Sequence, residues 1–269
     1  MNTTHPKKRL GQNFLTDKNI ARKIINAIDV PVPRLIIEIG PGQGALTDLL
    51  LDSGDQYLGI EIDPGLAEIL QKRFSTASNF MLLKKDFLDV DISKITNQFS
   101  GKNVVVIGNI PYNITSPILF KLFDNADILT QSILMMQKEV GQRLSASPST
   151  KAYGLLAINS QLFAEVRPLF TVPAKLFFPK PKVDSVVVKL DFKKNVREAF
   201  ADFELFRKVL RHCFQHRRKM LRKTLSMLFS PTLLTKLGAD LTRRPEQLSI
   251  SEWRELTNSI YGYLHEEQQ

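Results

Sequence analysis

The chain has 269 residues, 43% of them apolar, which is enough for one large domain or a large and a small one with a sizeable core. Its 37 lysines and arginines against 27 acids leave a formal charge of +10, so long-range attraction makes nucleic acid the leading partner on charge. A single cysteine, Cys213, excludes an internal disulfide, and no apolar run reaches transmembrane length.

The first residues, "MNTTHPKKRLGQNFL", are basic but lack the apolar core and cleavage signal of an export leader, so the expectation is a cytoplasmic protein. From residue 34 to 107 apolar runs alternate with helical patterns. "LIIEI" at 35–39 precedes "ALTDLLLDS", "YLGIEI" at 57–62 precedes "GLAEILQKRF", and "FMLL" at 80–83 and "NVVVI" at 103–107 follow. Strands buried on both faces and joined by crossover helices have this pattern, which predicts an α/β, doubly wound parallel sheet. "SILMM" at 132–136, "LFAEVRPLF" at 162–170 and "SVVVKLDF" at 185–192 are expected to complete it. The prolines of "PAKLFFPKPKVDS" predict an irregular loop between the last two strands.

From about residue 195 the pattern is helical only, which predicts a boundary between a domain at 1–194 and a small all-helical domain at 195–269. Residues 203–229 have apolar positions at helical spacing, among them Leu205, Val209, Leu210, Phe214, Leu221 and Leu225, with a dense basic remainder. Two shorter helical patterns follow, separated by Gly238 and Pro245. His212 and His216 have the i, i+4 spacing of a metal-ligand pair, but no Glu and no third ligand accompany them. No metal site is expected, and the pair is assigned to a basic helix face turned to solvent or RNA.

In doubly wound sheets the ligand sits at the carboxyl ends of the strands, where strand order reverses. The first strand ends in "EIGPGQGALT", whose Gly40, Gly42 and Gly44 allow a tight turn and a close backbone approach. The next ends in "GIEID", placing Glu61 about 20 residues on, where an acid accepts from ribose hydroxyls. The glycine spacing departs from the dinucleotide fingerprint, in which a helix N-terminus faces a pyrophosphate. A ligand without phosphate fits better, and S-adenosylmethionine has a ribose, an adenine and a sulfonium cation. Asp86, after the third strand, is a candidate acceptor for the adenine amine, with a turn-capping role as the ordinary alternative.

The fourth strand ends in "GNIPYNITSP". An exocyclic aromatic amine is a poor nucleophile because its lone pair is delocalised into the ring. If the Asn109 side-chain oxygen and the carbonyl of Ile110 or Pro111 each accept one amine hydrogen, they favour a pyramidal nitrogen, and Tyr112 stacks on the ring. No strong base is required, since the alkylated nitrogen loses its proton readily to water.

Taken together, these motifs resemble the ribosomal RNA adenine N6,N6-dimethyltransferases, closest to their bacterial small-subunit branch. "GQNFL", "EIGPGQGALT", "GIEID", "NIPYNITSP", "KEV", "KAYG", "FFPKPKVDS" and "HRRKMLRKTL" carry the resemblance over nearly the whole chain. It implies a Rossmann-like class I methyltransferase sheet and an N-terminal lid over about 1–30. It also implies cofactor contacts from Asn13, Leu15, Gly40, Glu61, Asp86 and Asn109, with S-adenosylmethionine as methyl donor. The target adenine would meet Asn109, Pro111 and Tyr112, with Phe177 or its neighbour Phe178 on the other face. Arg217, Arg218, Lys219, Arg222 and Lys223 would contact RNA phosphates. The implied activity is dimethylation of two adjacent adenines near the 3′ end of small-subunit rRNA, in a pre-30S particle, by a monomer. "KVDS", with Asp184, points away from the macrolide-resistance enzymes of the large subunit. The intact acids Glu61 and Asp86 point away from a largely non-catalytic assembly factor.

Overall fold

The structure, a computed structural model, describes residues 6–7 and 10–266. It divides into two units, one running to Gln142 and resuming over Phe163–Lys194, the other made of Arg143–Leu162 and the chain from Asn195. In chain order the elements are β1 (Phe14–Leu15), α1 (Lys18–Ile25), β2 (Arg34–Ile39), α2 (Thr47–Leu51), β3 (Gln56–Glu61), α3 (Pro64–Arg73), β4 (Phe80–Lys84), α4 (Ile92–Thr96), β5 (Asn103–Asn109), α5 (Thr115–Asp124), β6 (Gln131–Gln137), α6 (Lys138–Leu144), α7 (Leu155–Phe163), β7 (Ala164–Val172), β8 (Phe177–Phe178) and β9 (Ser185–Phe192). Four helices follow: α8 (Phe203–Gln215), α9 (Leu221–Leu225), α10 (Pro231–Lys236) and α11 (Ile250–Glu266).

The main sheet has seven strands in the order β4-β3-β2-β5-β6-β9-β7. The pairs from β4 to β6 are parallel, and β9 runs antiparallel to both β6 and β7. This is the α/β Rossmann-like sheet expected, closed by an antiparallel pair at one edge. The apolar runs become central strands because both faces are covered: Leu35, Ile36, Ile37, Val105, Val106 and Ile107 are all buried. Strand order reverses between β2 and β5, so the carboxyl ends of β2, β3 and β5 share one edge at the switch point. The run "LF" at 162–163 belongs to α7, and β7 starts at Ala164 and continues to Val172, with a register shift between Pro168 and Phe170. Within the proline-rich connection, β8 pairs antiparallel with β1, setting Phe14 against Phe178 and Leu15 against Phe177.

The second unit is built on its own apolar cluster, which includes Phe206, Val209, Leu210, Cys213, Leu221, Trp253, Leu256 and Ile260. Tyr153, Ala157 and Ile158 belong to the same cluster, and the Tyr153 hydroxyl donates to the Leu248 carbonyl. Packing therefore draws 143–162 into this unit, a segment that the boundary at 194/195 leaves with the sheet. The continuous apolar spacing over 203–229 is also interrupted. The Leu221 and Arg222 amides donate to the Arg243 and Leu241 carbonyls, taking the donors that would carry α8 past His216.

Candidate functional site

A cleft of about 800 Å³, open mouth included, lies at the switch-point edge of the sheet. Its walls come from Leu10–Leu15, the glycine turn after β2, the end of β3 and the turn after β5. Expected residues Asn13, Leu15, Gly40, Glu61, Asn109, Pro111 and Tyr112 all line it. Gly40 and Gly42 take φ of +62° and +60°, in the left-handed region that side chains disfavour. A Cβ on Gly42 would also stand 3.1 Å from the Phe14 ring, so the N-terminal segment lies tight on this turn.

The turn is organised by Glu61, which is 3% exposed. Its Oε2 accepts from the Gly42 amide at 2.9 Å and its Oε1 from the Asp63 amide at 2.9 Å. Burial pushes its carboxyl above the ordinary range, against the pull of those amides. A second buried acid, Glu38, lines the same cleft, its Oε2 accepting from the Thr47 hydroxyl at 2.7 Å and the Tyr57 hydroxyl at 2.6 Å. Burial raises its carboxyl to about 7, outweighing the two hydroxyls, with the Glu61 charge adding to the rise. Glu38 is legible only as an acid inside the apolar run "LIIEI", a strand position that must be satisfied from within. No lysine or arginine lines the cleft among the described residues.

At the end of β5, Asn109 donates from Nδ2 to the Asn13 carbonyl at 2.7 Å. That bond orients the amide, leaving Oδ1 as an acceptor with no partner among the described residues. The Pro111 carbonyl already accepts from the Ile114 amide at 3.2 Å and the Thr115 hydroxyl at 3.1 Å. No hydrogen bond reaches the Ile110 carbonyl among the described residues, so of the two main-chain acceptors left open by the sequence it is the one with free capacity. Tyr112 is half-buried, and its hydroxyl pairs with that of Ser185 at 2.7 Å, tying the turn to β9.

Two expected residues lie elsewhere. Asp86 does not line the cleft; one of its oxygens accepts from the Leu88 amide at 2.9 Å, capping the short turn after β4. Phe177 is 4% exposed and packs in the core, because its pairing with Leu15 turns both side chains inward. Of the two adjacent rings Phe177 is the buried one, and Phe178, 63% exposed, is the one the loop presents to solvent.

In the helical unit, Arg218, Lys219, Arg222 and Lys223 are exposed. Arg217 differs from them: it pairs with Glu246 and donates to the Lys151 and Thr150 carbonyls at 2.9 and 3.0 Å. It staples the 150–151 turn. His212 is half-buried and bonds the Thr224 carbonyl through Nε2 at 3.0 Å. No group of metal-ligating side chains occurs among the described residues, and none of their helices is long and apolar enough to cross a membrane.

Residues 3–261 match the family model described as ribosomal RNA adenine dimethylase. A ribosomal RNA small subunit methyltransferase A of Prosthecochloris aestuarii is 42% identical over 255 residues, 94% of each chain. One of Chlorobium luteolum is 43% identical over 250 residues, 93% of this chain and 88% of its own. Among solved structures, a dimethyladenosine transferase of Plasmodium falciparum superposes with a TM-score of 0.74 at 28% identity, covering 90% of this chain and 95% of that one. The 23S rRNA methyltransferase ErmE, at 24% identity and a TM-score of 0.66, shares the fold over 93% of this chain and 100% of its own.

Proposed function

This chain belongs to the ribosomal RNA adenine dimethylase family, and from that premise we propose that it dimethylates N6 of two adjacent adenines near the 3′ end of small-subunit rRNA. The methyl donor in this reading is S-adenosylmethionine. The cleft suits that donor: Glu38 and Glu61 line it without a single lysine or arginine among the described residues, a lining that favours a sulfonium cation over a phosphate. Glu61, held by two main-chain amides, has lone pairs left for ribose hydroxyls, and Gly40 lets the backbone come close beside it. When bound, S-adenosylmethionine supplies an electrophilic methyl group.

The observation that carries the reading is the commitment of Asn109 Nδ2 to the Asn13 carbonyl. It fixes Oδ1 as an acceptor for one hydrogen of an adenine amine, and the Ile110 carbonyl takes the other. Both contacts favour a pyramidal nitrogen, so they stabilise the transition state more than the planar ground state. Tyr112, held by Ser185, supplies a face for the base, and the exposed Phe178 is the loop ring nearest in sequence to the expected second one. The target base must leave its stack to reach these groups. Arg218, Lys219, Arg222 and Lys223 serve phosphate contact, making 143–162 with 195–266 an RNA-binding unit. Asp86, with one oxygen on the Leu88 amide, is in this reading the acceptor for the adenine amine of the cofactor. The protein works as a cytoplasmic monomer on a pre-30S particle.

The test is transfer of labelled methyl to undermethylated small subunits, large subunits and DNA. Label is expected in small subunits only, and Asn109→Ala is expected to abolish transfer while leaving subunit binding within about twofold, since one amide among many contacts is lost. Label in large subunits or DNA alone refutes the substrate; an Asn109→Ala protein that still turns over refutes the mechanism.

A further inference from the structure

Six consecutive residues, Leu10 to Leu15, line the cleft, and the same segment holds Asn109 through the Asn13 carbonyl. What fastens this segment is Asp63, the N-cap of α3, whose side chain is 2% exposed. Lys7 donates from Nζ to its Oδ1 at 2.7 Å, and Gln12 donates from Nε2 to its Oδ2 at 3.1 Å. The two fastening residues are themselves joined, the Lys7 amide donating to Gln12 Oε1 at 2.7 Å. Both Asp63 oxygens are thus used by the N-terminal segment, with Oδ1 also accepting from the Gly65 amide at 3.0 Å. The Asp63 amide, in turn, donates to Glu61.

A continuous run of contacts therefore joins the cofactor acid to the catalytic amide: Glu61, Asp63, Lys7 with Gln12, the 12–13 backbone, and Asn109. We propose that Asp63 is a positioning residue that straps the N-terminal segment down, so that closing this wall of the cofactor cleft and orienting the Asn109 amide are one event. This rests on the methyltransferase reading above. A buried carboxylate would otherwise be costly, and its only cation among the described residues is Lys7, whose side chain is 40% exposed and outside the cleft. With Lys7 and Gln12 released, the segment loses its side-chain tie at this end and keeps the β1–β8 pairing at the other. The Asn13 carbonyl then no longer holds Asn109 in one orientation. Cofactor retention and the chemical step are expected to weaken together.

The experiment compares wild type with Asp63→Ser, Lys7→Ala and Lys7→Arg as full chains. Serine preserves a cap for Gly65 but is too short to reach Lys7 and Gln12. The readouts are the KM for S-adenosylmethionine, kcat at saturating cofactor and small subunit, and the dissociation rate of labelled S-adenosylmethionine. Asp63→Ser loses both side-chain ties and is expected to raise KM and the dissociation rate roughly 10- to 100-fold, about the worth of a charge-assisted hydrogen bond, and to lower kcat as well. Lys7→Ala moves all three in the same direction, and Lys7→Arg stays near wild type. A purely structural cap would lower the melting temperature and leave KM and kcat unchanged; that result overturns the proposal. If Asp63→Ser does not fold, Lys7→Ala decides alone, and wild-type kinetics in it overturn the strap. Wild type that binds no S-adenosylmethionine sinks the methyltransferase reading itself.

Discussion

Replacing Glu38 by glutamine is expected to remove a pH dependence of stability that the wild-type protein carries between pH 5 and 8. Burial holds the Glu38 carboxyl at about 7, whereas an unfolded chain returns it to its ordinary 4.5. The folded state binds this proton more tightly, so its contribution is complete below the unfolded value and is lost as pH rises through the folded one. The difference between 4.5 and about 7, at about 1.4 kcal/mol per pH unit, comes to about 3 kcal/mol for a fully buried group. Glutamine keeps an oxygen for the Thr47 and Tyr57 hydroxyls and does not titrate. Urea denaturation of the cofactor-free proteins at half-unit steps from pH 5 to 8 measures the contrast. Wild type should lose about 2 to 3 kcal/mol relative to Glu38→Gln over that range, with the two nearest at pH 5. Parallel curves would refute the reasoning, because they require Glu38 to titrate alike in both states.

Phe177→Ala is expected to cost about 3 to 5 kcal/mol of stability by opening a core cavity. Phe178→Ala should leave stability within about 0.5 kcal/mol and lower kcat/KM for the RNA substrate; unchanged kcat/KM would make Phe177 the stacking ring. Arg222→Ala with Lys223→Ala should reduce the slope of log affinity against log salt for small subunits by about 1.5 to 2. Arg217→Ala should instead lower the melting temperature, and an Arg217 variant that changes only the salt slope would contradict its staple role. Gly108→Ala would place a Cβ 2.7 Å from the Ile39 carbonyl oxygen, so β5 must shift from β2; a stability loss of about 1 to 3 kcal/mol with a fall in kcat is expected, and unchanged kinetics would show that Asn109 tolerates the shift.

The centre of the sheet was legible because its central strands are buried on both faces. Runs such as "NVVVI" have no polar register to confuse, and the glycines, Glu61 and Asn109 fall at the ends of such runs. Residues whose role depends on which neighbour turns inward were not legible. Phe177 and Phe178 are chemically identical, and only the pairing of Leu15 with Phe177 decides which is buried. Arg217 and Arg218 are likewise adjacent and alike, but Glu246 and two carbonyls of a distant turn claim the first. The transfer of 143–162 to the helical unit depends on Tyr153 and Ala157 meeting residues more than 50 positions away, which no local periodicity encodes.

Neighbouring strands at the reversal explain why so few side chains suffice. Glu38 on β2 and Asn109 at the end of β5 belong to directly paired strands, and β3 delivers Glu61 on the other side of β2. Gly108 is the residue that allows this, since any side chain there would meet the Ile39 backbone and separate the two strands that bring acid and amide together. The sheet alone, however, leaves the Asn109 amide free to turn over, and a turned amide would present donors where the amine needs an acceptor. The Asn13 carbonyl removes that freedom from a segment nearly a hundred residues earlier in the chain. In the proposed mechanism the catalytic geometry is therefore completed by a piece of backbone outside the main sheet, whose placement would depend on how firmly its side chains hold Asp63.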